Sequence, residues 1–503
     1  MTLPPRPLKL QAVSDLRLLS RSLVNTNGAE LGLEHSKTGY RLVVLAPVGS
    51  KFFEGLEGEV QTLTGDTLLI GEAGPRNLAV LRNRLPWLNP RLLGLQTSAG
   101  LGDRLGLATP GHVRAMRLAG GTLAPIFAQQ SIREMTRTGR SPQQVMDDAG
   151  WGMFAEGWHN GFGSDADHLK IPADIDACLA AGFTFFTIDP GEHVNNLATT
   201  ATVPELRAMI EVLPWDLFED DSKSLASRYL KQSFKASACS IVFDELTLLR
   251  AAAKYGQAIA HVITMYRHLL RQAGEGTFEL EVSVDETETP TTHAEHVYIA
   301  SELKRLGVKW VSLAPRYIGR FEKGVDYIGD LAAFEDDFAI HAAIARQLGP
   351  YKLSLHSGSD KFSIYPIAAQ QTGGLVHLKT AGTSYLEALR TIASISPEFF
   401  RSIYAFAREH YETDRASYHV SAKLDRAPSA QGLTNEELPG LLEHFDAREI
   451  LHVTFGSVLT ARKPDGSWQF YDCFVDLLRS HPEVYATNLE VHFLRHLRPF
   501  VSS

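Results

Sequence analysis

The strongest constraint on the fold of this chain is a regular alternation between short apolar runs and longer amphipathic stretches after residue 91. Eight apolar runs have the length of buried strands, and helix-start signals follow most of them. The predicted strands span residues 92–97, 122–129, 166–170, 183–189, 278–285, 310–314, 352–356 and 376–380. Helices are predicted at residues 110–118, 142–159, 172–181, 293–306 and 334–348. Eight strand–helix units predict an α/β fold, a closed (β/α)8 barrel of the TIM type.

Two regions of different character flank the predicted barrel. Residues 1–90 are predicted to form a small β-rich N-terminal unit, because short apolar runs and turn signals dominate there. Residues 91–390 form the predicted catalytic barrel, which carries a helical insertion around residues 190–277. Residues 391–503 are predicted to form a mostly helical C-terminal extension.

Two hairpins are predicted in these flanking regions. In the N-terminal unit, Gly65-Asp66 is a two-residue turn signal between two strand-like segments. In the extension, residues 451–459 and 468–474 are predicted to pair across a turn at Lys463–Gly466.

Composition excludes several classes of protein. The 503 residues include 49 Lys plus Arg and 58 Asp plus Glu, a net charge of −9. This balance argues against a protein that binds nucleic acid through phosphate contacts. No stretch is apolar enough to cross a membrane, and the N-terminus lacks the apolar core of a signal peptide. Three scattered cysteines give no disulfide framework, so a cytoplasmic protein is expected, either a monomer or a homo-oligomer.

Sequence motifs disfavour four common enzyme classes. The GxGxxxG pattern at residues 100–106 is one residue longer than the dinucleotide-binding fingerprint. No GxSxG elbow, HExxH motif or Walker loop occurs. Nicotinamide enzymes, serine hydrolases, zinc proteases and P-loop NTPases are therefore poor fits.

Three histidines occupy matching positions near the ends of predicted strands. Residue alternation places His168, His356 and His377 on the inner face, at the end where such barrels carry active sites. Each one alone is more simply explained as a hydrogen-bonded, half-buried side chain. Three of one parity predict a divalent-metal site of the zinc, manganese, nickel or cobalt class. His293 and His296, by contrast, are predicted as exposed helix residues.

Carboxylates at the same strand ends are candidates for acid–base chemistry. Asp167 lies beside the first of the three histidines, whereas Asp165 is better explained as a turn residue. The partner of Asp167 is either Asp285 or Glu286. Residue parity favours Asp285, but a strand that ends early would release Glu286 into the site.

Cationic and donor-rich segments predict an anionic substrate. Arg316 follows the sixth strand, and Lys379 and Lys170 are predicted to face the barrel interior near its acids. The loops at residues 357–361 and 380–384 are small, rich in donors and followed by helices, which suits a bound carboxylate or phosphate. Arg316 and Lys379 are the predicted substrate-binding residues.

Five segments resemble the tagaturonate epimerase family, over residues 102–390. They are SDADHLK (164–170), FTFFTIDPGEHV (183–194), VDETETPTT (284–292), LHSGSDKFSIYP (355–366) and GGLVHLKTAGTSYLEALR (373–390). The resemblance implies a divalent-metal-dependent enzyme that interconverts D-tagaturonate and D-fructuronate in hexuronate catabolism. It also implies that Asp167 is the proton acceptor, Glu286 the proton donor, and His168, His356 and His377 the metal ligands.

The implied reaction can be compared with these residues. The two ketouronates differ at the hydroxyl carbon β to the ketone, so deprotonation next to the ketone cannot invert it. A retro-aldol cleavage and recapture can, given a Lewis acid and two acid–base groups. Two alternatives stay open: a Schiff-base aldolase or lyase that uses Lys379 or Lys170, and a non-catalytic sugar-binding protein.

Overall fold

The computed structural model describes residues 9–13, 16–36, 38–236 and 239–501; residues 1–8 and 502–503 of the two predicted flanking regions lie outside these ranges. The strands are β1 (Val24–Thr26), β2 (Ala29–Ser36), β3 (Gly39–Pro47), β4 (Glu59–Thr62), β5 (Asp66–Glu72), β6 (Ser98–Gly100), β7 (Ala124–Ser131), β8 (Gly163–Leu169), β9 (Phe185–Ile188), β10 (Ser233–Ala236), β11 (Cys239–Val242), β12 (Glu279–Ser283), β13 (Ser312–Ala314), β14 (Lys352–Leu355) and β15 (Val376–Lys379).

The helices are α1 (Pro75–Arg84), α2 (Thr109–Ala119), α3 (Ile132–Thr138), α4 (Pro142–Glu156), α5 (Pro172–Ala181), α6 (Val203–Glu211), α7 (Trp215–Phe218), α8 (Ser222–Tyr229), α9 (Glu245–Ala273), α10 (His293–Arg305), α11 (Leu331–Leu348), α12 (Tyr365–Thr372), α13 (Thr383–Ile395), α14 (Pro397–Asp414), α15 (Phe445–Val453), α16 (Phe455–Thr460), α17 (Tyr471–Ser480) and α18 (Pro482–Leu497). Short 3-10 helices lie in several of the connections.

Eight parallel strands form the closed barrel predicted from the sequence. The order around it is β6, β7, β8, β9, β12, β13, β14 and β15, and β15 pairs back with β6. Parallel neighbours need a crossover connection, and at least one helix lies between each pair that follows in the chain. The carboxyl ends of all eight strands therefore meet at one mouth.

Sequence signals set the ends of the helices that surround the barrel. At the start of α4, the Ser141 side chain accepts from the backbone of Gln144, whose side chain accepts from the Ser141 backbone. This is the reciprocal capping box. α4 and α5 end at Gly157 and Gly182, which adopt the left-handed conformation that glycine tolerates best.

The first barrel strand lies later than predicted. The expected strand at residues 92–97 is wrong, since Leu92 and Leu95 are exposed and β6 comprises Ser98–Gly100. Small residues suit this position, because a Cβ on Gly100 would lie only 3.0 Å from the Gln129 side chain. A strand of small residues carries no apolar run by which it could be found.

The N-terminal strands form an antiparallel sheet in the order β1, β2, β3, β5, β4. Backbone hydrogen bonds join Leu63 and Asp66 in both directions, so the hairpin turn is Thr64-Gly65, one residue before the predicted position. The sheet packs on α4, whose Trp151 and Phe154 belong to the same hydrophobic cluster as the strands. This N-terminal unit therefore shares its core with the barrel wall.

The chain is helical in the two longest segments outside the barrel strands. Between the barrel neighbours β9 and β12 it inserts α6–α9 and the small hairpin β10–β11. After β15 it forms α13–α18, and α18 packs against α2 and α13. None of the helices in the described ranges combines the length and hydropathy of a bilayer-spanning segment.

The predicted terminal hairpin of the extension is wrong. Residues 451–459 lie in α15 and α16, and residues 468–474 lead into α17. The apolar run of residues 451–459 is buried on all sides of its helices, a pattern that resembles a strand in sequence. Only the turn forms, with a single bridge between Arg462 and Trp468.

Candidate active site

β8 brings two carboxylates and one imidazole to the barrel mouth. Asp165 and Asp167 point into the barrel, where both are almost fully buried. His168 has a φ of 55°, and the pairing of β8 with β9 shifts in register here. This irregularity brings His168 to the mouth beside Asp167. The predicted inward parity of His168 and Lys170 is therefore wrong, and so is the interpretation of Asp165 as a turn residue.

Lys379 is enclosed by carboxylates. Its Nζ lies 2.6 Å from Asp167, 2.7 Å from Glu281 and 2.9 Å from Asp165, and it donates to the Thr187 hydroxyl at 2.7 Å. Burial alone would lower the pKa of Lys379, but the three carboxylates outweigh it and raise that pKa well above its ordinary value. The amine is therefore held in its protonated form.

His356 lies between two acids of the fifth strand and its loop. Its Nε2 is 2.6 Å from Glu281 Oε1, and its Nδ1 is 3.0 Å from Asp285 Oδ1. Burial opposes protonation, but Asp285 and Glu281 together raise the pKa of His356 to about 9. The ring is fixed in orientation by a carboxylate on each nitrogen.

His168 has one satisfied and one unsatisfied nitrogen. Its Nδ1 bonds Asp167 Oδ1 at 2.8 Å, whereas its buried Nε2 lies 3.9 Å from Asp285 Oδ1 and lacks a hydrogen-bond partner within the described ranges. Burial again opposes protonation, but Asp167, Glu286 and Asp189 raise the pKa of His168 to about 10. His168 and His356 therefore supply two positive charges in a space rich in carboxylates.

His377 lies deeper in the barrel than the other two histidines. It pairs with Ser98, at the level below Lys379, and its Nδ1 is 2.9 Å from the Ser98 hydroxyl. Its Nε2 is 3.8 Å from Asp165 Oδ2 and has no hydrogen-bond partner among the described residues. Burial lowers the pKa of His377, so the ring is neutral. The structure thus brings His168 and His356 together without His377.

Two groups of side chains at the mouth could hold a metal ion. One ligand atom each from Asp167, His168 and His356 lie within 4.8 Å of one another, and the same is true of His168, Asp189 and Glu286. The unsatisfied Nε2 of His168 faces carboxylate oxygen, and a divalent cation could replace the two imidazolium protons at equal charge. Imidazole with carboxylate suits a zinc, manganese, nickel or cobalt ion.

Asp285 and Glu286 both face the site. Asp285 is half-buried beside His356 and accepts a hydrogen bond from the Ser283 hydroxyl. Glu286 is 34% exposed at the rim, where the Arg133 guanidinium lies 2.9 Å from its carboxylate. Burial opposes ionisation of both acids, but His356 lowers the pKa of Asp285, and His168 and Arg133 lower that of Glu286. Either position leaves a carboxylate opposite Asp167.

A cavity of about 320 Å³ opens above these acids. Arg316, predicted as a substrate-binding residue, lines it, and its buried Nε has no hydrogen-bond partner. Lys323 also lines it and donates to the Ser357 hydroxyl at 2.5 Å, and burial lowers the pKa of Lys323. The cavity therefore has carboxylates at its floor and cationic groups on its wall, as an anionic sugar would require.

A larger cavity of about 490 Å³ lies elsewhere, between the N-terminal sheet, α4 and α18. Its lining includes Arg114, whose guanidinium forms ion pairs with Glu156 and Glu483. It shares no lining residue with the barrel mouth. Because the perturbed acids and histidines converge at the mouth, the smaller cavity is the candidate active site.

Two donors of the loops predicted to bind an anion, Lys361 and Ser384, are otherwise engaged. Lys361 is fully buried, and its Nζ donates to the backbone carbonyls of Glu322 at 2.7 Å and Ser359 at 3.1 Å. The Ser384 hydroxyl donates to the Gly102 carbonyl at 2.6 Å. These donors hold the loops in place instead of facing the cavity. Lys170 is 44% exposed and pairs with a surface glutamate outside the barrel.

Several residues that line the mouth were not predicted from the sequence. Lys323 lies in the long connection after β13, and Tyr418 and His419 come from the C-terminal extension, yet all three line the cavity. Arg133, at the start of α3, pairs with Glu286. None of these residues lies at a predicted strand end, so strand parity gave no signal for them.

Comparisons with known proteins identify the family of this chain. A family model described as tagaturonate epimerase (UxaE) matches residues 19–500. The tagaturonate/fructuronate epimerase of Thermotoga maritima is 45% identical over 452 residues, which cover 90% of this chain and 89% of that protein. The native crystal structure of fructuronate-tagaturonate epimerase UxaE from Cohnella laeviribosi is 38% identical with a TM-score of 0.91 over 98% of each chain, and a glycerol-bound structure of it gives the same values.

The barrel and the acids at its mouth define a (β/α)8-barrel enzyme. The matched range extends well beyond the residues 102–390 that carry the resemblance in sequence. The chain belongs to the tagaturonate epimerase family, as the sequence motifs predicted.

Proposed function

We propose that this enzyme interconverts D-tagaturonate and D-fructuronate in hexuronate catabolism, with the help of a divalent cation. The observation that carries the proposal is the juxtaposition of two lined spaces at the mouth. A small pocket lined by Asp167, His168 and His356 adjoins the cavity lined by His356, Asp285 and Glu286, whose wall is cationic. The relatives named above are epimerases of these two sugar acids.

His168 and His356 would hold the cation, with Asp167 beside it as the base, and His377 remains a predicted ligand one level below. The cation, when bound, supplies Lewis-acid stabilisation of the negative oxygen that develops on the former ketone. Asp167 and Glu281 each bond one nitrogen of a histidine and so fix the direction of the other nitrogen.

The residues of the chain then perform a retro-aldol cleavage and its reversal. Asp167 accepts the proton of the hydroxyl β to the ketone, the bond between that hydroxyl carbon and the carbon next to the ketone breaks, and its electrons form an enediolate. The hydroxyl carbon becomes an aldehyde. After the aldehyde turns its other face, the bond re-forms, and Glu286 or Asp285, once protonated from solvent, gives a proton to the new alkoxide, while the proton on Asp167 returns to solvent.

Cationic groups on the wall keep the two fragments together. Arg316 and Lys323 are placed to bind the substrate carboxylate, which belongs to the aldehyde fragment. Lys379 touches Asp167 and Glu281 and keeps both ionised, so we propose that it orients the base and borders the bound sugar. An ammonium surrounded by three carboxylates is a poor nucleophile, which argues against the Schiff-base alternative.

The proposal is tested with purified enzyme, fructuronate and NMR detection of tagaturonate in deuterated water. We expect turnover to stop after chelation and to return with Mn, Ni, Co or Zn salts. We also expect the hydrogen on the inverted carbon to be retained, because the carbon–carbon bond breaks instead of the carbon–hydrogen bond. Deuterium at that carbon would rule out the retro-aldol route, and covalent trapping by borohydride would support the Schiff-base alternative.

We further propose a cytoplasmic location, which the unpaired Cys178 and Cys473 support. The division into residues 1–90, 91–390 and 391–503 is proposed as three structural regions of one catalytic unit. Mass measurement in solution would decide between the monomer and a homo-oligomer.

A further inference from the structure

A second group of histidines and a carboxylate lies on the outer wall of the barrel, between α10 and α11. His293 Nε2 is 2.9 Å from Asp337 Oδ1, and His341 Nε2 is 3.7 Å from Asp337 Oδ2. One ligand atom from each residue lies within 4.8 Å of the other two. We propose that His293, Asp337 and His341 form a structural site for a divalent cation of the zinc class.

Two buried atoms of this group lack hydrogen bonds. His341 is fully buried, and among the residues that the structure describes neither its Nε2 nor the facing Asp337 Oδ2 has a hydrogen-bond partner. An unpaired buried donor or acceptor costs free energy, so native proteins rarely leave two of them opposite each other. A cation between them would use both lone pairs. Asp337 and His341 are four residues apart in α11, so they lie on one face of the helix.

Neighbouring side chains set the orientation of His341. Its Nδ1 is 2.8 Å from His296 Nδ1, and His296 Nε2 is 2.8 Å from the Tyr351 hydroxyl. When His296 Nε2 donates to Tyr351, His296 Nδ1 accepts from His341 Nδ1, and His341 Nε2 keeps its lone pair for a metal. His296 is fully buried, so its predicted exposure is wrong. Such outer partners are typical of metal-binding histidines.

The group also has access to solvent. The side chain of His293 is 26% exposed and that of Asp337 is 17% exposed, so a cation can enter from their side and keep a water ligand. Two imidazoles, one carboxylate and a water make the four-coordinate set that zinc prefers. Calcium and magnesium prefer oxygen ligands, so they fit less well.

The position of the group suggests what a cation there would do. His293 is the first residue of α10, directly after the loop that carries Asp285 and Glu286. His341 contacts the ring of Tyr317, which lines the active-site cavity, at a centroid distance of 5.6 Å. A cation would fasten the end of the loop to α11. It shares no ligand with the catalytic groups, so the inference does not depend on the proposed reaction.

The test is calorimetric titration of the full-length, chelator-treated protein with zinc chloride. The background carries His168→Ala and His356→Ala, which remove the candidate catalytic ligands. We expect one zinc equivalent to remain, and His293→Gln or Asp337→Asn to abolish it. The two substituted side chains are partly exposed and each replacement is nearly isosteric, so we expect the variants to fold, which circular dichroism would verify. Zinc should raise the melting temperature of this background but not that of its His293→Gln derivative.

His268→Gln is the matched control, because His268 also pairs with a carboxylate on the outer wall, Asp176 at 2.7 Å, and no third ligand joins them in the described part of the chain. It should leave the zinc equivalent unchanged. Equal zinc binding with and without His293→Gln would overturn the proposal, and so would the absence of any zinc binding in the background protein.

Discussion

The barrel mouth and the buried cluster of Asp360, His492 and His496 contain the same residue types, but of these two regions only the mouth leaves histidine nitrogens unsatisfied among the described residues. In the cluster, His492 Nε2 bonds Asp360 at 2.6 Å, and Arg448 lies 2.9 Å from the same carboxylate. His496 Nε2 accepts the backbone N–H of Asp360 at 2.9 Å, so its lone pair is used. At the mouth, His168 Nε2 has no such partner.

Proximity of histidines to a carboxylate is therefore not enough to identify a functional site. The cluster joins α18 and α15 to the loop after β14, and the Arg448 guanidinium balances its carboxylate. The mouth has more carboxylates than ammonium groups, and its charge is balanced only when its histidines are protonated or a cation is present. We infer that unsatisfied atoms together with excess negative charge distinguish a site that binds a ligand from a cluster that stabilises the fold.

The largest effect is expected from Asp167→Asn at the mouth. Loss of the general base should lower kcat by about 10²–10⁴-fold, while the fold and bound metal persist. The NMR epimerisation assay, with elemental analysis, measures both. Asp176→Asn, which also removes a carboxylate beside an imidazole but on the outer wall, should leave kcat unchanged. A kcat within threefold of wild type in Asp167→Asn would remove the distinction between the two regions.

In the cluster of Asp360, His492 and His496, we expect a substitution to lower the stability of the fold instead of the activity. Asp360→Ala leaves the buried Arg448 and His492 without their carboxylate and should cost about 3–5 kcal/mol of unfolding free energy. Denaturant unfolding measures this cost. Metal content per folded molecule should equal that of wild type; a fall in it would mean that the cluster binds metal after all.

Arg316 and Arg320 line the same cavity. They differ as the barrel mouth differs from the cluster of Asp360, His492 and His496, because one has an unsatisfied buried nitrogen and the other is paired. The Arg316 Nε is buried and unsatisfied, whereas Arg320 is 58% exposed and lies 3.4 Å from Glu322. Arg316→Ala should raise KM about 10- to 150-fold, the equivalent of about 1.5–3 kcal/mol for a hydrogen bond to a charged group. Arg320→Ala should raise it less than threefold. Equal effects would show that burial does not select the anchor.

The smallest effect is expected at Glu449, a buried acid beside Glu322 that keeps its proton to a higher pH than usual. Burial and the neighbouring Glu322 raise the pKa of Glu449 to about 8 from its ordinary 4.5. Between these values the folded protein keeps a proton that the unfolded chain has lost, so the unfolding free energy should fall as pH rises, by at most about 1.4 kcal/mol per pH unit. Glu449→Gln should flatten this dependence in denaturant unfolding at several pH values; an unchanged slope would contradict it.

The barrel could be predicted because strand runs and helix signals alternate along the chain, and seven of the eight predicted strands overlap observed ones. The positions of the functional side chains at the strand ends were harder to predict. The left-handed backbone at His168 carries no signature in a non-glycine residue, so parity gave the wrong neighbours in β8. Lys323 and Tyr418 come from connections, and only tertiary packing brings them to the mouth.

At the mouth, the candidate catalytic groups and the residues of the cavity wall come from different parts of the fold. This separation indicates how the substrate range could be altered. The candidate acids and histidines lie at strand ends, whereas much of the cavity wall belongs to the connection after β13 and to residues 418–419. A mutant library limited to Arg320, Phe321, Tyr418 and His419 would therefore reshape the wall without touching the hydrogen bonds beneath it. Enzymes selected from such a library for other sugar acids should keep the bond-breaking step and differ in which chain lengths and hydroxyl patterns they accept.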